Sequence, residues 1–165
     1  HKNLEIFLEL AEKILLEKKN WKIITTISLD HGIGAKKFLK NIQEKKLSKV
    51  LVNIGPVSMN EVPSLYKQCD AFLLPTLLES FSGTYVEAMF HKKPIFTSNY
   101  DFAKDVCKNG AIYFDPNEPN EIFNVLDDVI SNKKKLEELV NTASKNLKKM
   151  DNWEDVLDKY LNLFS

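Results

Sequence analysis

Two carboxylates stand with seven residues between them, small ones included, in the segment Glu79-Ser80-Phe81-Ser82-Gly83-Thr84-Tyr85-Val86-Glu87. Ser82 and Gly83 fall where an apolar run, Ala71 to Leu74, passes through Pro75 into a helical pattern. Small residues there leave the amides of a helix N-terminus bare. Free N–H groups at the positive end of the helix dipole are an anion site. A carboxylate touching a phosphate would repel it, so both acids make sense only if the anion carries uncharged polyols at each end. The amides then hold the charge, while Glu79 and Glu87 accept hydrogen bonds from hydroxyl groups on either side. A nucleoside-diphosphate sugar has that form. The residues alone fit a second reading as well, in which Thr84-x-x-Glu87 is a capping box and Glu79 is an ordinary loop acid.

Other chemistries find little support. The 23 basic residues are all lysines and are balanced by 23 acids. There is thus no basic surplus for nucleic acid, and any bound anion must be held by lysine, amides or helix ends rather than by a guanidinium fork. The loop His31-Gly32-Ile33-Gly34 begins like a dinucleotide fingerprint, but Lys37 takes the third glycine position and the next strand ends at Asn53-Ile54 without a ribose-binding acid. No Walker loop, zinc spacing, nucleophile elbow or Asp-x-Asp occurs. His1, His31 and His91 are scattered and read as surface residues. Cys69 and Cys107 have no metal or redox spacing, and so few cysteines suit a reducing, cytoplasmic compartment. No apolar run reaches membrane-spanning length.

The elements that must position the acids follow from periodicity. Helical spacing is expected over 3–19, 35–46, 61–68, 85–91 and 103–108, and strands over 22–28, 50–54, 71–74, 95–97 and 111–114. From Glu121 only helical periodicity remains, in three pieces broken near Asn132 and Asp151. Alternating strands and helices with near-continuous apolar strands specify an α/β fold: a Rossmann-like parallel sheet with helices on both faces and a helical C-terminus. Ligands of such sheets bind beyond the carboxyl ends of the strands, which is where Glu79 to Gly83 lies. Lys92-Lys93 reads as a solvated helix end, and Lys133-Lys134-Lys135 as a helix junction. Trp153, Tyr160, Leu161 and Phe164 read as the packed face of the last helix.

The stretch ESFSGTYVEAM resembles the Glu-x7-Glu signature of retaining GT-B glycosyltransferases, the group numbered family four. The likeness extends through HKNLEIFLELAEKI, NIGPVSMNEVPSLYKQCDAFLLPTLLES, KPIFTSNYDFAKDVCKNGAIYFDP and the closing Trp153-Glu154 helix, so it covers essentially the whole chain. The resemblance implies a donor-binding domain that takes a nucleoside-diphosphate sugar and, in the intact enzyme, transfers the sugar to an acceptor hydroxyl with retention, as in cell-surface polysaccharide or glycolipid synthesis. By that likeness Glu79 binds the sugar hydroxyls and is the catalytic candidate, and Glu87 binds the ribose. Lys2 and the amides of Phe81, Ser82, Gly83 and Thr84 hold the diphosphate. Gly55 and Val57 form the nucleobase loop. Ser82 stands where the family has glycine and Gly83 where it has an apolar residue, which shifts the amide cradle by one position.

The resemblance further implies that residues 1–165 are one domain, cut at its N-terminus, whose first strand and acceptor-binding partner domain lie outside it. The chain alone is then expected to be inactive. No metal or other cofactor is called for, and peripheral membrane association belongs to the full-length protein. The alternative is a non-catalytic Rossmann-like nucleotide-binding or interaction module.

Overall fold

The computed structural model describes residues 1–164. Helix α1 (Glu5–Leu16) leads to strand β1 (Ile23–Thr25), then α2 (Ile33–Glu44), β2 (Leu51–Asn53), α3 (Val62–Gln68) and β3 (Phe72–Leu74). After these come α4 (Gly83–Phe90), β4 (Ile95–Ser98), α5 (Asp101–Cys107) and β5 (Ala111–Phe114). The chain closes with α6 (Pro119–Ile130), α7 (Lys133–Leu147) and α8 (Trp153–Leu161). This is the expected alternation, including the helix breaks at Asn132 and Asp151.

Side-chain hydrogen bonds explain where the boundaries depart from the periodic pattern. β1 stops at Thr25 because Asn53 takes over the pairing: its Oδ1 accepts from Ile27 N at 2.8 Å and its Nδ2 donates to Ile27 O at 3.0 Å. Ser28 then caps a 3-10 turn at Leu29–His31, its hydroxyl accepting from Asp30 N. A side chain that offers one acceptor and one donor imitates a strand residue, which β-propensity cannot register.

All strand pairs are parallel, and they fall into two ladders, β1-β2 and β3-β4-β5. No backbone ladder joins the two among the described residues. Side chains do: one buried cluster unites Leu51 and Val50 of the first with Phe96 and Phe114 of the second, and with α1 and α6 through Leu10, Ile14, Ile122 and Leu126. A second cluster on α4, α5 and α7 contains Tyr85, Met89, Ile95, Cys107 and Ala143. β4 is buried throughout, and its two hydroxyls fasten the ends of neighbouring elements. Thr97 Oγ1 lies 3.0 Å from Leu74 O and 2.7 Å from the Tyr85 hydroxyl, while Ser98 Oγ donates to Thr76 O at 2.6 Å. The carboxyl end of β3, from which the Glu79 loop departs, is thereby fixed to β4 and α4.

Besides Lys108 (φ 50°) after α5, three helices end on a lysine in the left-handed region: Lys18 (φ 53°), Lys46 (φ 58°) and Lys92 (φ 54°). In each, the following residue reaches back to a carbonyl one turn earlier, as in Lys93 N to Ala88 O at 2.8 Å. These are Schellman closures with lysine where glycine is preferred. The lysine cation suits the negative helix end, but its Cβ is strained there. Lys18→Gly, Lys46→Gly and Lys92→Gly are each expected to raise unfolding free energy by about 0.5–1 kcal/mol, read by urea denaturation.

Lys133-Lys134-Lys135 does open α7, with Asn132 as its cap and Lys135 paired to Asp128 at 2.7 Å. The last helix corrects the sequence reading. Trp153 is 87% exposed and Phe164 85%, and Tyr160 and Leu161 are also exposed, so this stripe packs on nothing in the described residues. Its own capping box (Asn152 with Asp155) holds the helix instead. Among the described residues no helix is long and apolar enough to cross a membrane.

Candidate functional site at the start of helix α4

Helix α4 begins at Gly83, two residues earlier than periodicity suggests, with Ser82 as its N-cap residue. No side chain caps it. The Ser82 hydroxyl faces the Thr84 hydroxyl at 2.8 Å rather than a backbone amide. The amides of Gly83 and Thr84 belong to the first turn, where an α-helix offers no internal acceptor. Gly83 is exposed and has no atom within 4 Å of where a Cβ would stand, so a ligand can approach the main chain closely. Phe81 is exposed beside it and Ser82 is buried.

The capping box that Thr84-x-x-Glu87 would allow is not formed. A capping box would place Thr84 at the N-cap with Glu87 reaching back to it. Thr84 instead lies inside the helix, and Glu87 makes no capping bond. Its carboxylate Oε2 meets the Tyr66 hydroxyl at 3.3 Å, and that hydroxyl is also 3.4 Å from Thr84 O. Burial and the adjoining Glu87 carboxylate together push the Tyr66 phenol well above its usual range, so it stays a proton donor. The Tyr66 ring stacks on His91 with centroids 4.8 Å apart, which makes His91 half-buried packing rather than a free surface residue.

Glu79 is held on the other side of the helix start. Its side chain is only 13% exposed and forms an ion pair with Lys2. Thr76, fully buried, stands 3.4 Å from Glu79 Oε1, and its hydroxyl also lies 3.0 Å from His1 O. Leu77 N donates to the same His1 carbonyl at 2.8 Å, so the segment bearing Lys2 is pinned to the loop bearing Glu79. Lys2 keeps half of its side chain in solvent and so remains open to a second anion.

Gly55 and Val57 lie in the loop after β2. Gly55 has φ 77°, a conformation that needs glycine. Among the described residues no hydrogen bond joins either of them to Glu79 or Glu87. The loop passes directly to α3 through Ser58, whose amide and hydroxyl both donate to Glu61 at 3.0 and 2.6 Å. Those bonds lower the Glu61 pKa. Sequence reasoning missed Thr76 and Tyr66. Thr76 is a hydroxyl directly after Pro75 at a strand end, a faint signal; Tyr66 on a short helix reads as packing. Cys107 is buried and its thiol is pushed up to about 12 by burial, which keeps it chemically quiet. A shallow groove of about 410 Å³ lies elsewhere, between β5, α6 and α7, where Ile112, Val125, Val129 and Leu139 meet Asp128 and Glu138.

Comparison with known proteins gives this geometry a context. The family described as glycosyl transferases group 1 matches residues 1–146. An uncharacterized glycosyltransferase of Methanocaldococcus jannaschii is 25% identical over 99% of this chain and 41% of its own length. A mutant of S. aureus TarM, solved with fondaparinux, alpha-GlcNAc-glycerol and UDP, superposes with a TM-score of 0.86 at 18% identity, over 99% of this chain and 33% of that one. Anabaena HepE, solved with UDP and glucose, gives 0.77 at 17% identity, over 98% of this chain and 44% of that one. The chain therefore spans less than half the length of these relatives, and its fold is that of GT-B glycosyltransferases.

Proposed function

The chain belongs to the glycosyl transferases group 1 family, and from that premise we propose that it is the donor-binding domain of a retaining, family-four-type glycosyltransferase. One observation carries the reading: α4 starts uncapped, with Glu79 and Glu87 on either flank and Lys2 paired to Glu79. The amides of Phe81 to Thr84 and the Lys2 ammonium take the diphosphate. Glu87 takes the ribose, Glu79 takes the hydroxyls of the sugar, and the loop of Gly55 and Val57 takes the base. UDP bound to TarM and to HepE supports a nucleoside diphosphate as the ligand class.

Transfer breaks the bond between the anomeric carbon and the diphosphate, and the electron pair stays on the leaving phosphate oxygen. Donors fixed before the reaction stabilise that charge without having to reorganise. The helix amides and Lys2 supply them, which is the task a divalent ion performs in other transferases. Glu79, close to Lys2, holds the sugar so that its anomeric carbon faces the acceptor. The acceptor's hydroxyl oxygen forms the new bond to the anomeric carbon as the diphosphate leaves. The surface that binds the acceptor, with the group that takes the hydroxyl proton, belongs to another part of the enzyme, in keeping with the greater length of the relatives. The exposed apolar stripe of α8 is a surface that such a part would cover.

A thermal-shift panel of UDP-, GDP- and ADP-sugars tests the proposal. Ligand at a hundred times its Kd adds about 2.7 kcal/mol to stability, so one nucleotide class should raise the melting temperature clearly. A panel with no shift for any class would overturn it. The second reading, a nucleotide-binding module without transferase activity, draws support from Ser82 standing where the family has glycine and Gly83 where it has an apolar residue. It requires that the intact protein, and not only this domain, bind the nucleotide without transferring sugar to any acceptor tried.

A further inference from the structure

We infer that Tyr66 is a positioning residue for sugar recognition within the nucleoside: its hydroxyl orients Glu87 so that the carboxylate distinguishes ribose from deoxyribose. This deepens the reading of Glu87 as the ribose ligand and rests on it.

Three observations carry the inference. First, Glu87 has no capping duty, and the Tyr66 hydroxyl, 3.3 Å from Oε2, is its one hydrogen-bond partner among the described residues. A glutamate has three rotatable side-chain bonds. A half-buried one without an anchor would lose much of its rotamer freedom on meeting a ligand. Second, the phenol carries a single proton that reaches toward both Glu87 and the Thr84 carbonyl, at 3.3 and 3.4 Å. The hydroxyl thus registers the carboxylate against the same helix turn whose amides form the anion site, while Oε1 has no hydrogen-bond partner among the described residues. Third, Tyr66 is itself immobilised. Its ring stacks on His91 at 4.8 Å and leans on Phe72 at 6.2 Å. Its helix follows directly from the loop of Gly55 and Val57, through the Ser58–Glu61 turn. The phenol therefore couples the loop assigned to the base to the acid assigned to the ribose.

Removing the hydroxyl while keeping the ring isolates this role. Tyr66→Phe preserves the stacking on His91 and the contact with Phe72, so its melting temperature should stay near the parent's. Binding is measured calorimetrically with whichever of UDP, GDP and ADP binds most tightly, and with its 2′-deoxy and 3′-deoxy counterparts. In the parent protein the ribonucleotide should bind at least several-fold more tightly. In Tyr66→Phe its affinity should fall about three- to tenfold, with the deoxy forms changing little, so the ribose preference shrinks. Glu87→Ala, measured alongside, should abolish the preference. If Glu87→Ala abolishes it and Tyr66→Phe leaves it intact, the positioning role is overturned while the ribose reading stands. If Glu87→Ala also leaves the preference intact, or the parent shows none, Glu87 is not the ribose ligand and both ideas fall.

Discussion

Glu87→Ala should weaken nucleoside-diphosphate binding by about 1.5–3 kcal/mol, roughly ten- to more than a hundredfold in Kd, the range for hydrogen bonds to a charged group. The same substitution should leave unfolding free energy within about 0.5 kcal/mol, as for a side chain outside any cap or core cluster. The contrast between these two numbers is the informative part. Glu87 makes no capping bond, and its only hydrogen-bond partner among the described residues is a phenol that can turn to the Thr84 carbonyl at 3.4 Å. Had Glu87 closed a capping box, the order would reverse, with about 1 kcal/mol lost from stability and nothing from affinity. Glu87→Gln keeps one acceptor oxygen and the shape of the side chain, so it should fall between parent and alanine. Calorimetric titration with the best-binding nucleoside diphosphate, beside urea denaturation of each variant, reads both quantities. Equal affinity in parent and alanine variant would remove Glu87 from the site.

Gly110→Ala is the substitution expected to damage the fold most for the fewest added atoms. A Cβ at residue 110 would stand 2.8 Å from the Ala143 Cα, 3.0 Å from the Cys107 carbonyl oxygen and 3.1 Å from the Ala143 nitrogen. All three neighbours are backbone atoms, so no side chain can rotate away. The Cys107 carbonyl is already occupied by Gly110 N at 2.7 Å and Asn146 Nδ2 at 2.9 Å. Helix α7 must therefore move off the turn between α5 and β5, loosening the cluster of Ala143, Met89 and Cys107. Overpacking of this kind costs about 1–3 kcal/mol, and Gly110→Val should cost more. In a chain of this size that is a fall of roughly 3–10 °C in melting temperature. An unchanged melting temperature would show that α7 does not rest against this turn.

Which parts of the molecule can be read from sequence depends on what sets each feature. Apolar strands such as Ile95–Ser98 and amphipathic helices such as Pro119–Ile130 owe their form to burial, and burial leaves a period in the sequence. The end of β1 and the start of α4 are set by single side chains, Asn53 standing in for a strand residue and Ser82 declining to cap, and neither leaves a period. Placing the acids beside a helix N-terminus follows from residue type and spacing. The partners that hold them do not. Tyr66 lies 21 residues before Glu87 and Lys2 77 before Glu79, and only the folded chain brings them into contact. The apolar stripe of α8 shows the opposite failure: its period is present, and no surface among the described residues answers it.

The separation of the strands into two ladders has a consequence for dynamics. The loop after β2 belongs to one ladder and the turn after β3 to the other; among the described residues no strand ladder joins them, and packed side chains together with the Tyr66 hydroxyl span the gap. Each ladder can then open as its own cooperative unit under hydrogen exchange. A molecule gripping both loops at once would act as a strut across that seam, slowing exchange on both sides together.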